Sequence, residues 1–263
     1  MSDDSGWQVA QAAPRHYQNQ VSRFMEPFAT ALVDACVSNG DIVLDVACGT
    51  GIATRMAADK AGTAGRIVGT DINGAMVDLA AEVSYRGNIE WRQASALDLP
   101  YANGIFDSVI CQQGLQFFPS PEVGLAEMAR VSRSGATLGA TVWSDLEDSP
   151  YLDAMHHMLG AYCDVDQQEM AWSSDSEQVV GWFLDAGLNE PMIDSLVLTV
   201  SLPPLEDFVP AHMKATPWAD RFDSLSQTES ANAVRFMSER LSDWITPAGA
   251  DVPFSSYLAS IVT

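Results

Sequence analysis

At 263 residues the chain is long for one α/β domain and short for two, and 47% hydrophobic residues supply ample material for a core. Thirteen Lys and Arg against 35 Asp and Glu give a formal charge of −22, a field that repels phosphate backbones and anionic membrane surfaces, so neither a nucleic-acid substrate nor unaided membrane binding is expected. The first residues are polar and acidic without a signal-peptide pattern, and no apolar run approaches the roughly 18 residues that span a bilayer, so the expectation is a cytoplasmic protein without stable membrane insertion.

Only Lys60 and Lys214 are lysines, and the acidic excess fits either a salt-adapted surface, as in a halophile, or an ordinary acidic protein. Cys36, Cys48, Cys111 and Cys163 show no Cys-x-x-Cys spacing, so neither a metal site nor a disulfide framework is expected.

Residues 1–15 are polar and alanine-rich, with Pro14 as a breaker. Over 16–37, Tyr17, Val21, Phe24, Phe28, Leu32 and Val33 recur at helical spacing, which predicts one or two amphipathic helices interrupted near Pro27. Residues 42–46 form a short β-branched run ending at a loop with Gly49 and Gly51, read as a buried strand and a tight turn; a helix over 52–61 follows. Further strands are expected at 66–70, 89–93, 107–111 and 136–143, with helices over about 74–84 and 121–131.

This alternation from 42 to 143 is that of a doubly wound parallel sheet. Beyond it, 149–170 and 174–186 read as helical, 192–201 as a strand, 204–244 as mostly helical with breaks at Pro210 and Pro217, and 252–262 as a last strand. The fold class expected is therefore α/β: a Rossmann-like sheet of seven strands, mostly parallel with the last antiparallel. One domain is expected, with an N-terminal helical lid over 1–38, a core over 40–143, and a helical cap from 145–190 and 202–248.

Glycines at the first turn let a ligand approach the backbone, and the helix behind presents unpaired N–H groups. Asp71 ends the second strand 20 positions after Gly51, the place from which a carboxylate grips a ribose diol. Two cofactor classes share this pattern. In the dinucleotide fingerprint a third small residue lets helix and strand pack closely, and Thr54 stands at that position, which weakens an NAD-dependent oxidoreductase reading.

The motifs Leu44-Asp-Val-Ala-Cys-Gly-Thr-Gly, Asp71-Ile-Asn-Gly-Ala-Met, Ser95-Ala-Leu-Asp-Leu-Pro, Phe106-Asp-Ser-Val-Ile-Cys-Gln-Gln-Gly-Leu-Gln-Phe-Phe and Met128-Ala-Arg-Val-Ser-Arg-Ser-Gly follow in order over 40–143. Together they resemble class I S-adenosylmethionine-dependent methyltransferases, in particular the small-molecule branch that includes the ubiquinone and menaquinone biosynthesis methyltransferases. The resemblance implies S-adenosyl-L-methionine as cofactor and S-adenosyl-L-homocysteine as product. It implies that Ala47, Gly49 and Gly51 line the methionine part with Asp45 near them, and that Asp71 accepts both ribose hydroxyls. Ile72 and Met76 would flank the adenine and Ala96 and Leu97 meet its edge; Gln112 and Gln113 would open onto the cofactor, and Tyr17, Thr50 and Asn73 complete the set. Ser95 departs from the pattern, since many relatives carry Asp there.

Methyl transfer requires alignment in a water-poor pocket more than an acid or base. His16, His156 and His157 are candidate bases or substrate contacts, and Phe117 and Trp143, with Phe118 and Tyr17, candidate aromatic walls of a substrate pocket. After the fourth strand the chain reads Gln-Gln-Gly-Leu rather than the Asn/Asp-Pro-Pro-Tyr of nucleobase and amide methyltransferases. A small-molecule acceptor, in a monomer or homodimer, is expected. A non-catalytic cofactor-binding protein is the remaining alternative.

Overall fold

A computed structural model describes residues 13–84, 87–166 and 173–263. The expectations for residues 1–12, and for helix beyond 166, lie outside the described residues. In chain order the elements are α1 (Ala13–His16), a π-helical turn (Tyr17–Val21), α2 (Ser22–Cys36), β1 (Ile42–Val46), α3 (Ile52–Ala61), β2 (Arg66–Asp71), α4 (Gly74–Val83), β3 (Ile89–Gln93), β4 (Phe106–Gln112), α5 (Pro121–Val131) and β5 (Ser132–Trp143). There follow α6 (Pro150–Tyr162), α7 (Ser176–Asp185), β6 (Met192–Leu202), α8 (Leu205–Met213), α9 (Ala219–Asp223), α10 (Gln227–Arg240), β7 (Ile245–Thr246) and β8 (Gly249–Val262).

Two of these differ from expectation at proline. Helix α2 runs through Pro27 and α8 through Pro210 without ending. A proline forfeits one intrahelical hydrogen bond, but the residues around each are buried: Met25, Phe28 and Ala29 beside Pro27, Phe208, Val209 and Met213 beside Pro210. Apolar burial at about 25 cal/mol per Å2 outweighs a single lost bond.

Two compact units make up the chain, one of Met25–Trp143, Ser174–Leu196 and Ser256–Thr263, the other of Met1–Phe24, Ser144–Ser173 and Val197–Ser255. The first holds β1 to β5 with residues 192–196 of β6 and 256–262 of β8, and the strand order is β3-β2-β1-β4-β5-β8-β6. Strands β3, β2, β1, β4 and β5 pair in parallel, while β8 runs antiparallel to β5, with Trp143 opposite Ser256. The two-residue β7 pairs with β8 and is an addition to the seven strands expected.

Side chains alternate along each strand, so the sheet buries two sets. Val43, Ile67 and Ile110 face a layer formed by α2 and α3, with Leu32, Val33, Ala53 and Ala57. Leu44, Val46, Val68, Val109 and Cys111 pack with Leu125 and Met128 of α5 and Val179 and Phe183 of α7. Strand order reverses between β1, which leads on to β2, and β4. The carboxyl ends of those two strands therefore diverge into loops and open the crevice in which such sheets bind ligands.

The second unit buries Phe24, Tyr151, Phe208, His212 and Phe254 together; Phe208 stacks on His212 at 5.4 Å and Phe24 on Phe254 at 5.6 Å. Tyr151 Oη lies 2.8 Å from His212 Nδ1. Burial pushes the His212 pKa down to about 4. The unfolded chain takes up this proton near pH 6.5, whereas the folded one resists until about 4. Stability from this group is complete above about 6.5 and is lost as pH falls toward 4, by up to about 3 kcal/mol. Urea unfolding of His212→Phe should show that acid-side slope removed.

Candidate active site

Strand β1 delivers Asp45 fully buried beneath α3, in register with Ile110 of β4 and Gly69 of β2, and Gly69 is in turn in register with Trp91 of β3. Thr54 of α3 donates to Asp45 Oδ2 at 2.5 Å, while Asp45 Oδ1 is buried without a hydrogen-bond partner. Thr54 therefore fills the third small-residue position as a hydroxyl donor to Asp45, not as a small residue that brings helix and strand together.

The loop between β1 and α3 is held from beneath. Cys48 N–H donates to Thr70 O at 2.9 Å and Gly51 N–H to Cys48 O at 2.8 Å, with Ala47, Gly49 and Gly51 all at positive φ (58°, 54° and 82°). A Cβ on Gly49 would meet nothing within 4 Å, so open space adjoins the loop there. Arg55 Nη1 donates to Thr50 O at 2.7 Å.

Asp71 ends β2 as expected, and both its oxygens are in use: Oδ2 accepts from Gly49 N–H at 2.8 Å, and Oδ1 from Asn73 N–H at 2.8 Å. Each carboxylate oxygen has room for a second donor, so the group can take two further hydroxyls while it ties β2 to the glycine loop. Burial raises its pKa, and the two N–H bonds oppose that rise. Asn73 caps α4, its Oδ1 accepting from Ala75 N–H at 3.0 Å; its Nδ2 is buried and unpartnered. Ile72, beside it, is 44% exposed, whereas Met76 is buried.

Farther along, Ser95 Oγ accepts from Leu97 N–H at 3.2 Å, and Ala96 and Leu97 are half-buried. At the end of β4, Gln112 and Gln113 are buried, and Gly114 presses on the glycine loop: a Cβ there would stand 2.7 Å from Ala47 Cβ. Phe117 is half-buried, and Trp143 is buried with its ring edge-on to Phe28 at 5.3 Å. Phe118 packs over Gly124, with ring atoms 2.5 and 2.8 Å from where a Cβ would stand. All of these belong to the sheet unit.

Tyr17, in the π-helical turn, and His156 and His157, on α6, belong to the other unit. His157 Nε2 lies 3.4 Å from Asp153 Oδ1, and the His156 pKa is lowered by burial and by His157. The four cysteines are free and buried, and burial drives the Cys48 thiol pKa well up.

Thus the structure brings Asp45, Ala47, Gly49, Thr50, Gly51, Asp71, Asn73, Gln112 and Gln113 together at the carboxyl ends of β1, β2 and β4. Three residues that sequence reasoning gave no site role complete the arrangement. Thr54 partners Asp45, Trp91 covers Gly51 and Gly69, and Ser256 holds Gln113.

The fold is Rossmann-like, with the candidate site at the carboxyl ends of β1, β2 and β4. Residues 44–139 match the family model described as a methyltransferase domain. The chain is 36% identical over 108 residues to a demethylmenaquinone methyltransferase of Lactobacillus johnsonii, a match covering 39% of this chain and 44% of that one. It is 36% identical over 130 residues to the ubiquinone/menaquinone biosynthesis C-methyltransferase UbiE of Klebsiella pneumoniae, covering 48% and 50%. The chain thus spans about half the length of the curated relatives it matches. Among solved structures, the YcgJ protein of Bacillus subtilis superposes with a TM-score of 0.59 at 13% identity, over 89% of this chain and 97% of that one. A SAM-dependent methyltransferase from Aquifex aeolicus does so at 0.50 and 18%, over 73% and 88%. Both share the fold.

The residues present fit S-adenosylmethionine. Asp71 can accept two hydroxyls, space opens beside Gly49, and Asp45 Oδ1, Thr50 Oγ1, Asn73 Nδ2 and Gln112 Nε2 are buried polar atoms without partners. Groups of this kind cost stability until a ligand pairs them.

Asp45 also carries a pH signature. Burial raises its pKa to about 7, with the nearby Asp71 charge adding to the rise and Thr54 opposing it. Because the folded value lies above the unfolded one, ionising Asp45 destabilises the fold as pH climbs from about 4 through 7. Asp45→Asn should therefore melt higher than wild type at pH 8, by an amount corresponding to about 4 kcal/mol, and the difference should vanish near pH 4. A pH series of thermal melts measures it.

Proposed function

We propose that the protein transfers the methyl group of S-adenosylmethionine to a small-molecule acceptor. The observation that carries the reading is Asp71, fixed at the end of β2 with one hydrogen bond already on each oxygen and capacity for one more. The methyltransferase domain over 44–139 supports it.

When bound, S-adenosylmethionine supplies a methyl carbon on a sulfonium, activated for in-line displacement by an electron-rich atom. The chain's own part is positional. Asp71 would hold the ribose; the loop at Ala47, Gly49 and Gly51 would admit the methionine part close to the backbone; Ile72 offers an apolar surface for the adenine. Asp45 and Asn73 would pair polar groups with buried atoms now unpartnered. Such fixed dipoles need not reorganise as charge moves, and alignment supplies most of the acceleration.

The acidic surface argues against a nucleic-acid acceptor. The names of the relatives make a reduced demethylmenaquinone analogue the first acceptor to assay. Calorimetry with S-adenosylmethionine, S-adenosylhomocysteine and NAD tests the cofactor directly: saturable binding of the first two and none of NAD is expected. Binding of NAD alone would replace this reading with that of an oxidoreductase, and binding of none would end it.

A further inference from the structure

At the end of β4 and just beyond it the chain leaves Gln112 Nε2, Gln113 Oε1 and both amide atoms of Gln116 buried without partners. Gln113 is the most constrained of the three. Its φ is 52°, in the left-handed region that residues with a side chain rarely adopt and that gathers at ligand sites. Its N–H donates to Thr141 O at 3.0 Å, which pins the backbone to β5.

Its side chain is pinned as well. Gln113 Nε2 donates to Ser256 Oγ at 2.9 Å, and the Ser256 hydroxyl donates to Val142 O at 2.7 Å, with Tyr257 O the alternative acceptor at 3.4 Å. A serine hydroxyl has one hydrogen, and both carbonyls can only accept it. Toward Gln113, Ser256 must therefore accept, so the amide atom facing it is the NH2, and the orientation of the amide follows from donor arithmetic. The carbonyl Oε1 is left as a buried acceptor on a side chain that cannot turn.

Position separates this acceptor from the ribose end of the site. Asp71 ends β2, Ser256 lies on β8, and β1, β4 and β5 stand between them in the sheet. At the same time Gly114, the next residue, touches Ala47 of the glycine loop. Gln113 thus borders the methionine end of the cofactor loop while its amide is drawn toward β8.

The geometry points to Gln113 as a specificity residue for the methyl acceptor: its Oε1 accepts a hydrogen bond from a hydroxyl or amine hydrogen on that molecule. Ser256 is the positioning residue that keeps the amide turned this way. This rests on the methyl-transfer reading and names the chemistry its acceptor must carry.

The test uses protein saturated with S-adenosylhomocysteine and paired probes, 1,4-dihydroxynaphthalene with its dimethyl ether and 4-aminophenol with its N,N,O-trimethylated form, with binding followed by ligand-observed NMR titration. Wild type should hold each donor-bearing probe about tenfold tighter than its methylated partner, the worth of one buried hydrogen bond. Gln113→Leu should remove that preference. Ser256→Ala should weaken or reverse it, because a freed amide can present Nε2 instead, an inversion that mere loosening of the fold would not produce. In both variants the S-adenosylhomocysteine affinity should stay within about twofold, which also confirms folding. The inference is overturned if wild type shows no preference, if the preference survives both substitutions, or if either variant loses S-adenosylhomocysteine affinity, which would assign Gln113 to the cofactor. Failure of wild type to bind S-adenosylhomocysteine would instead sink the methyl-transfer reading.

Discussion

Replacing Asp71 with alanine should weaken S-adenosylhomocysteine binding by at least about a hundredfold. A hydrogen bond to an ionised carboxylate contributes about 1.5 to 3 kcal/mol, and two ribose hydroxyls would each lose one. The loss extends past the ligand, because Gly49 and Asn73 both donate N–H groups to this side chain. Without it the glycine loop and the first turn of α4 lose their common tether. Asp71→Asn separates the two contributions: it keeps one acceptor oxygen and replaces the other with an NH2 that opposes the N–H of Gly49 or of Asn73. An intermediate affinity is expected from calorimetry. An alanine variant that binds as well as wild type would remove Asp71 from the site.

Asp71 was legible in the sequence because everything that places it is local: two short buried strands, a helix of ten residues between them, and a turn with glycines at fixed offsets. The helix over 52–61 falls where it was expected for the same reason. The prolines misled because their cost is local while the burial that offsets it is not; nothing near Pro210 in sequence announces that Phe208, Val209 and Met213 are all enclosed. Ser256 is farther still from reach. Its bond to Gln113 joins residues 143 positions apart and exists only because β8 returns antiparallel beside β5. His212 is not among the candidate histidines of the sequence, because its chemical character, a buried ring against Tyr151, comes wholly from tertiary packing.

Trp91 shows how a non-local contact turns a loop motif into a rigid site. Register sets Trp91 beside Gly69, and because Gly69 has no side chain the indole occupies the space a Cβ would take there and reaches Gly51. A Cβ on Gly69 would stand 2.6 Å from Trp91 Cζ3, and one on Gly51 would stand 2.8 Å from the same atom and closer still to Cη2. The ring cannot yield to one glycine without leaving the other. Gly51→Ala therefore meets two penalties, overpacking of about 1 to 3 kcal/mol and a φ of 82° that costs an L side chain about 1 kcal/mol or more. A loss of about 3 kcal/mol in urea unfolding is expected, with reduced S-adenosylhomocysteine affinity as the loop shifts. The two penalties come apart in a double-mutant cycle. In a Trp91→Ala background the clash is gone and the backbone cost remains, so Gly51→Ala should cost only about 1 kcal/mol there, a coupling of about 2 kcal/mol. Additive effects would mean that the indole does not brace the loop, and Gly51 would then be required for its backbone angle alone.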